Sequence, residues 1–289
     1  IEEHCHFFDI EKYLQPGDLL VWNNSKVFRA RLFGKLISPE NEELFEHKKK
    51  IEIFLVRPME NEGVWQVLAK PGKHVENGMR VWFAKDFYCD VMLKKTDGTI
   101  LVQFPDGEEV VREKANKYGE IPVPPYVDGP PENLADYQTV YARPEGSVAA
   151  PTAGFHFTPE LIEKLKVKGV EFAEVTLHVG LGTFLPVKSE NLDEHKMHSE
   201  WVELDQVNAE KINKAKVEGR RVVAVGTTTV RTLEGIASLA SYAEKKFEAF
   251  KGDVDIFITP GFEFKVIDAM ITNFHLPKST LLMLVSAFV

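Results

Sequence analysis

Val222-Val223-Ala224-Val225-Gly226-Thr227-Thr228-Thr229-Val230-Arg231 is the stretch on which the fold turns. Four apolar residues in a row read as a strand buried on both faces, as in a parallel sheet covered by helices. Gly226 breaks the strand, and residues 227–239 carry a helical pattern. Strand, turn and helix in that order put the turn at a strand's carboxyl end. There α/β sheets hold ligands, and free helix N–H groups attract anions. The three threonine hydroxyls add donors, and Arg231 is a candidate clamp for a carboxylate. A capped turn of purely local purpose would use the same residues. With one glycine and no Gly-Lys-Ser/Thr after it, the stretch is not a nucleotide triphosphate loop.

The same alternation recurs around it. Thr158-Pro159-Glu160 has a hydroxyl cap, proline at the first helical position and a carboxylate at the positive end of the dipole. Leu161, Ile162 and Leu165 share one face of that helix, and Gly169 stops it. In residues 170–179, Ala173, Val175, Leu177 and Val179 alternate with Glu174, Thr176 and His178, which is a strand. Asp205 opens a second helix with Ala209, Ile212 and Ala215 inward, and Gly219 ends it. Residues 18–22 and 255–259 read as further strands. The expectation is an α/β domain, barrel-like with a mixed sheet.

Residues 29–117 follow another rule. Apolar-rich runs at 31–37, 51–56, 64–69, 79–83, 87–93 and 99–104 are separated by turns such as Asn77-Gly78, Asp97-Gly98 and Pro105-Asp106-Gly107. Closely spaced strands with such turns predict a small antiparallel barrel or sandwich. No helix of ten residues is read inside it, and residues 40–50, too charged to pack, read as a solvated loop. The expected organisation is an α/β domain of residues 1–28 and 118–289 with an all-β module, 29–117, inserted.

Composition narrows the class. The chain has 289 residues, 44% hydrophobic and 27% charged, which excludes a disordered, fibrous or coiled-coil protein. With only two cysteines, Cys5 and Cys89, it is no disulfide scaffold, and a cytoplasmic location is expected. The longest largely apolar stretch, 281–289, falls short of the ~20 residues that span a bilayer, and no leader pattern opens the chain. The chain starts without Met and stops inside an apolar run, so both ends of the natural protein are expected to lie outside this sequence. The net charge of −9 repels phosphate on average. It is unevenly spread: residues 29–117 hold 16 Lys/Arg against 15 Asp/Glu, and the rest holds 19 against 29.

Four other segments carry candidate chemistry. Gly146-Ser147-Val148-Ala149-Ala150-Pro151-Thr152-Ala153-Gly154-Phe155-His156-Phe157-Thr158 is a small-residue run that lets backbone approach a ligand, with aromatic rings able to stack on a purine. Thr176-Leu177-His178-Val179-Gly180-Leu181-Gly182-Thr183-Phe184 sets an imidazole at a strand's carboxyl end, where it is a base or acid near neutral pH or a satisfied core histidine. His195-Lys196-Met197-His198 has metal-ligand spacing but no companion motif, and no metal is expected. Asn273-Phe274-His275-Leu276-Pro277-Lys278-Ser279-Thr280 leads into a helix capped by Ser279 and expected to be buried.

Taken in order, these segments resemble one family, the S-adenosylmethionine:tRNA ribosyltransferase-isomerases of queuosine biosynthesis. Further shared motifs are Pro16-Gly17-Asp18-Leu19-Leu20, Asn23-Asn24-Ser25-Lys26-Val27, Ala30-Arg31-Leu32, Lys70-Pro71-Gly72-Lys73, Pro122-Val123-Pro124-Pro125-Tyr126 and Tyr137-Gln138-Thr139-Val140-Tyr141-Ala142. The resemblance implies a larger α/β domain with an inserted antiparallel β-barrel. It implies transfer and isomerisation of the ribosyl group of S-adenosylmethionine onto 7-aminomethyl-7-deazaguanine at the tRNA wobble position. Epoxyqueuosine-tRNA is the product, and adenine and methionine are released. S-adenosylmethionine is then a co-substrate and no cofactor is required. The partners are tRNA and S-adenosylmethionine, with no membrane, and the chain is expected to act as a monomer.

That chemistry needs a base beside the sulfonium and an acid for the departing adenine. His156, His178 and His275 are the candidates. Expected contacts to S-adenosylmethionine are Pro151, Thr152, Gly154, Phe157, Gly180, Thr183, Phe184, Thr227, Thr228, Arg231 and Asn273, with Phe157 or Phe184 under the sulfonium. Lys26, Arg31, Lys70 and Lys73 are expected to meet tRNA phosphates, with the lysines 48–50 beside them. Leu185 departs from the family, which usually has Arg there. Two other classes compete: a zinc-dependent hydrolase built on His178, His195 and His198, and a non-catalytic RNA-binding protein using the β module.

Overall fold

The computed structural model describes residues 2–37, 50–123, 129–180, 199–239, 242, 246–275, 277 and 279–289. Along the chain run β1 (Leu19–Asn23), β2 (Lys26–Val27), β3 (Arg31–Ile37), β4 (Ile51–Pro58), β5 (Val64–Lys70), β6 (Arg80–Ala84), β7 (Phe87–Lys94), β8 (Ile100–Gln103) and α1 (Glu108–Tyr118). Then follow β9 (Glu145–Ser147), α2 (Pro159–Val167), β10 (Glu171–Leu177), β11 (Glu200–Leu204), α3 (Gln206–Val217), β12 (Val222–Val225), α4 (Thr227–Ala237), β13 (Phe250–Val254), β14 (Ala269–Ile271) and α5 (Thr280–Phe288). They form two compact units, residues 1–26 with 138–289, and residues 27–137.

The larger unit is built on a six-stranded mixed sheet in the order β13-β11-β10-β1-β12-β14. β1 lies between β10 and β12 and is parallel to both, β14 is parallel to β12, and β11 and β13 add antiparallel strands. All five residues of β1 are buried, which fits the apolar run from Leu19 to Trp22, and Asn23 at its end is a buried amide. Leu19 and Val21 face one way with Ala173, Val175, Val222 and Ala224, against Ala209, Ile212 and Ala215 of α3 and Val230 and Leu233 of α4. Leu20 and Trp22 face the other way with Val223 and Val225, against Leu161 and Leu165 of α2. The expected caps are present: Thr158 and Asp205 accept from the backbone N–H three residues on, and Gly169 and Gly219 end α2 and α3 at positive φ.

Two readings in this unit need correction. Residues 255–259 are not a strand. Ile256 and Ile258 are buried in alternation, but the ladder with β11 ends at Val254, so the apolar period carries no pairing. The helix after Ser279 forms and is capped by Ser279 Oγ, yet Leu284 is its one buried residue and Leu282 is exposed.

The smaller unit contains a closed antiparallel barrel, β3-β4-β5-β8-β7-β6. All six strands lie where the apolar runs predict them. The helix α1 is a departure from the all-β reading of this stretch. Gly107 precedes it, Glu108 and Glu109 occupy its first turn, and Val111 and Ala115, one turn apart, are its buried positions. Two inward residues in an otherwise charged stretch leave little apolar period to read. Most of the 40–50 loop falls outside the described residues.

Candidate active site

Three parallel strands deliver their carboxyl ends to one cleft in the larger unit. Val179 follows β10, Gly226, Thr227 and Thr228 follow β12, and Thr272, Asn273 and His275 follow β14. Ala149, Ala150, Pro151, Thr152 and Ala153 complete the lining with Arg231 and Leu281. The space is about 570 Å3, counting the part open to solvent. This is where ligands bind in open α/β sheets.

The turn after β12 is shaped by Gly226, whose φ of 86° and ψ of 149° few other residues adopt. It presents the first turn of α4 to the cleft. The three threonines divide there. Thr229 turns its hydroxyl back onto Val225 O at 2.7 Å, so it is not the ligand donor that the sequence suggests. Thr227 and Thr228 line the cleft, and Thr228 Oγ1 is buried without a hydrogen-bond partner among the described residues. Arg231 is not a free clamp. Its Nη1 lies 2.5 Å from Oε2 of Glu200, at the start of β11, and the two side chains are 7% and 2% exposed.

Asn273 links two of the predicted segments. Its Nδ2 donates to Thr152 Oγ1 at 2.9 Å, and its Oδ1 lies 3.2 Å from Nε2 of His156. His156 is exposed and packs on Phe7. His275 is half-buried with Nε2 3.2 Å from Thr272 Oγ1, and burial holds its pKa below the ordinary imidazole value.

His178 sits in a separate, closely determined setting. Asn23, at the end of β1, exchanges two hydrogen bonds with the backbone of Leu177 and accepts a third from Ser25 N. Ser25 Oγ then lies 2.7 Å from His178 Nδ1. The ring stacks on Trp201 at 5.0 Å, and its other edge faces Gly146, where a Cβ would come within 2.6 Å of Nε2.

Seven predicted residues, Pro151, Thr152, Thr227, Thr228, Arg231, Asn273 and His275, therefore share the cleft. Others do not. Phe157 is 1% exposed in an edge-on cluster with Phe7 and Trp22, so it is core and offers no face to a purine or sulfonium. Gly154 packs under Tyr141. Gly180 is described but does not line the cleft, while Thr183, Phe184, Leu185, His195 and His198 lie outside the described residues. Sequence reasoning missed Thr272 and Glu200 as site residues; the first adjoins a quoted motif, and the second closes the 195–200 stretch shared with the resembled family.

In the smaller unit, Lys70 and Lys73 stand on either side of the Pro71-Gly72 turn, and both are exposed. Lys94 Nζ steadies that turn through Gly72 O at 2.7 Å. Arg31 is engaged, with Nε and Nη2 each 3.2 Å from the Glu52 carboxylate, so it is not a free phosphate contact. Lys50 is exposed, and Lys48 and Lys49 lie outside the described residues. Lys26, in the larger unit, is half-buried and its backbone N–H donates to Pro144 O.

A family model described as queuosine biosynthesis protein matches residues 2–289. The chain belongs to the queuosine biosynthesis protein family. Among similar members, the S-adenosylmethionine:tRNA ribosyltransferase-isomerase of Carboxydothermus hydrogenoformans is 51% identical over 285 residues, covering 99% of this chain and 80% of that protein. The protein of the same name from Thermotoga petrophila is 50% identical over 287 residues, with the same coverage. A crystal structure of S-adenosylmethionine tRNA ribosyltransferase from Thermotoga maritima matches 98% of this chain and 76% of that one at 38% identity, with a TM-score of 0.45. Within the queuosine biosynthesis family, the cleft residues of this chain come from segments far apart in sequence that meet only because β10, β12 and β14 run parallel.

Proposed function

We propose that this chain transfers and isomerises the ribosyl group of S-adenosylmethionine onto 7-aminomethyl-7-deazaguanine at the wobble position of tRNA, giving epoxyqueuosine-tRNA with release of adenine and methionine. Family membership supports the reaction class. The observation that carries the reading is the cleft at the carboxyl ends of the parallel strands. It gathers hydroxyl and amide groups from Thr152, Thr227, Thr228 and Asn273 with the imidazole of His275.

His275 is the candidate base. Burial keeps its imidazole neutral near pH 7, the form that accepts a proton from the carbon next to the sulfonium. His156, steadied by Asn273, is the candidate acid for the departing adenine. His178 is held too tightly by Ser25, Trp201 and Gly146 to swing, which suits a group with one fixed orientation. S-adenosylmethionine serves as co-substrate and no resident cofactor is needed. tRNA phosphates meet the smaller unit at Lys70 and Lys73.

The test is release of adenine when the protein is mixed with S-adenosylmethionine and tRNA carrying the modified base. No adenine above the level without protein would refute the reading.

A further inference from the structure

Arg231 carries an unfilled recognition edge. In Arg31, Arg80 and Arg221 the Nε and Nη2 groups form the two-pronged edge that grips a carboxylate, from Glu52, Asp90 and Asp18 respectively. Arg231 is the reverse. Its Nη1 holds Glu200, while Nε and Nη2 are buried and have no hydrogen-bond partner among the described residues. Buried donors left unmade are costly, so such a pair beside a cleft calls for an acceptor from outside the chain. Three further groups surround the same place. Thr228 Oγ1 is buried and likewise has no hydrogen-bond partner among the described residues. The N–H groups of Thr227 and Thr228 open α4 and have no acceptor within the helix. The positive end of the α4 dipole adds to them.

We propose that Arg231, with Thr228 and the first turn of α4, is the subsite for the α-carboxylate of the donor's methionyl group. This rests on S-adenosylmethionine being the donor. Glu200 fixes the guanidinium from its far side and neutralises it, so the charge of Arg231 is not buried unpaired. A carboxylate matches the planar Nε/Nη2 edge two oxygens to two nitrogens and leaves lone pairs for Thr228 and the helix N–H groups. The assignment also orients the donor: its amino-acid end lies at α4, so the ribose and adenine extend toward the other lining residues.

The experiment compares S-adenosylmethionine with its decarboxylated analogue as ribosyl donor, read as adenine release with substrate tRNA. The unaltered protein should prefer the carboxylated donor by roughly tenfold or more in kcat/KM. Arg231→Lys keeps a cation for Glu200 but lacks the two-pronged edge. It should erase most of that preference by raising KM for S-adenosylmethionine while leaving the analogue nearly unchanged. Thr228→Val, which removes only the hydroxyl, should narrow the preference in part; it serves alone if Arg231→Lys does not fold. Equal use of the two donors by the unaltered protein would overturn the subsite. So would a preference unmoved by Thr228→Val, or an equal loss with both donors in a folded Arg231→Lys. Absence of any adenine release from S-adenosylmethionine is a different failure, which removes the functional reading itself.

Discussion

Asn273 Oδ1 lies 3.2 Å from Nε2 of His156, across 117 residues of sequence, while the same amide donates to Thr152. An exposed imidazole thus has its orientation set by a side chain from the loop after β14. Replacing Asn273 with Ala should lower kcat about tenfold or more through misplacement of His156. Stability should stay within about 0.5 kcal/mol, because the site is half open to water. Turnover and a thermal melt on the same sample decide it, and a rise in KM with kcat unchanged would count against a role for His156 in the chemical step.

His275 should impose an acid limb on activity. Burial lowers its folded pKa below 6.5, so in the window between the two values the unfolded chain binds the extra proton and the folded one does not. Its contribution therefore weakens stability as pH falls from about 6.5 through the folded value and is constant below that. kcat/KM should hold through that window and fall only as pH passes below the lowered folded value, where the folded imidazole itself takes the proton, and His275→Gln should abolish that limb. An unaltered acid limb in a folded His275→Gln protein would assign it to another group.

Gly146→Ala would drive a methyl group into the His178 ring, 2.6 Å from Nε2. The ring is already pinned between Ser25 and Trp201, so relief must come from moving it or the strand. A destabilisation of about 1–3 kcal/mol is expected, with activity falling further than instability explains. Denaturant unfolding and turnover below the melting temperature separate the two effects.

Lys70→Ala with Lys73→Ala should weaken tRNA binding and flatten its salt dependence by about 0.7–0.9 log units for each phosphate no longer neutralised. Both side chains reach solvent beside a turn fixed by Lys94, so the fold should be untouched. Affinity measured at several salt concentrations checks this, and an unchanged slope moves the RNA surface elsewhere.

Breaking the buried ion pair is a stability test apart from chemistry. Glu200→Leu leaves the Arg231 charge in a site where its side chain is 7% exposed, and should cost about 3–5 kcal/mol. Equilibrium unfolding reads it directly, and a cost under about 1 kcal/mol would mean that Arg231 finds water or another acceptor.

The elements legible in the sequence are those whose period is local. The six barrel strands and the capped helices α2 and α3 follow from alternation and capping residues alone. The turn from β12 into α4, which lines the cleft, is legible because Gly226 breaks a run of four apolar residues just before a helical pattern. What escapes is set at long range. The α1 helix depends on Val111 and Ala115 finding a surface, and residues 255–259 have the period of a strand without a neighbour to pair with. Phe157 reads as available because it neighbours exposed Phe155 and His156, yet the packing of Trp22 and Phe7 around it decides its burial. Glu200 and Arg231 meet only through the tertiary fold.

The central position of β1 has a consequence for how the chain is made. Its register partners begin at Glu171 in β10 and Val222 in β12, roughly 150 and 200 residues later. A ribosome adding about 5–20 residues per second needs roughly 10–40 s to supply the second of them. The five residues of β1 lack both neighbours for about the first three quarters of that interval, until β10 is made, and lack β12 until its end. The barrel, complete once β8 ends at Gln103, can close in the meantime. Synthesis thus imposes an order in which the inserted unit matures first and the strand that centres the larger sheet is among the last to be satisfied.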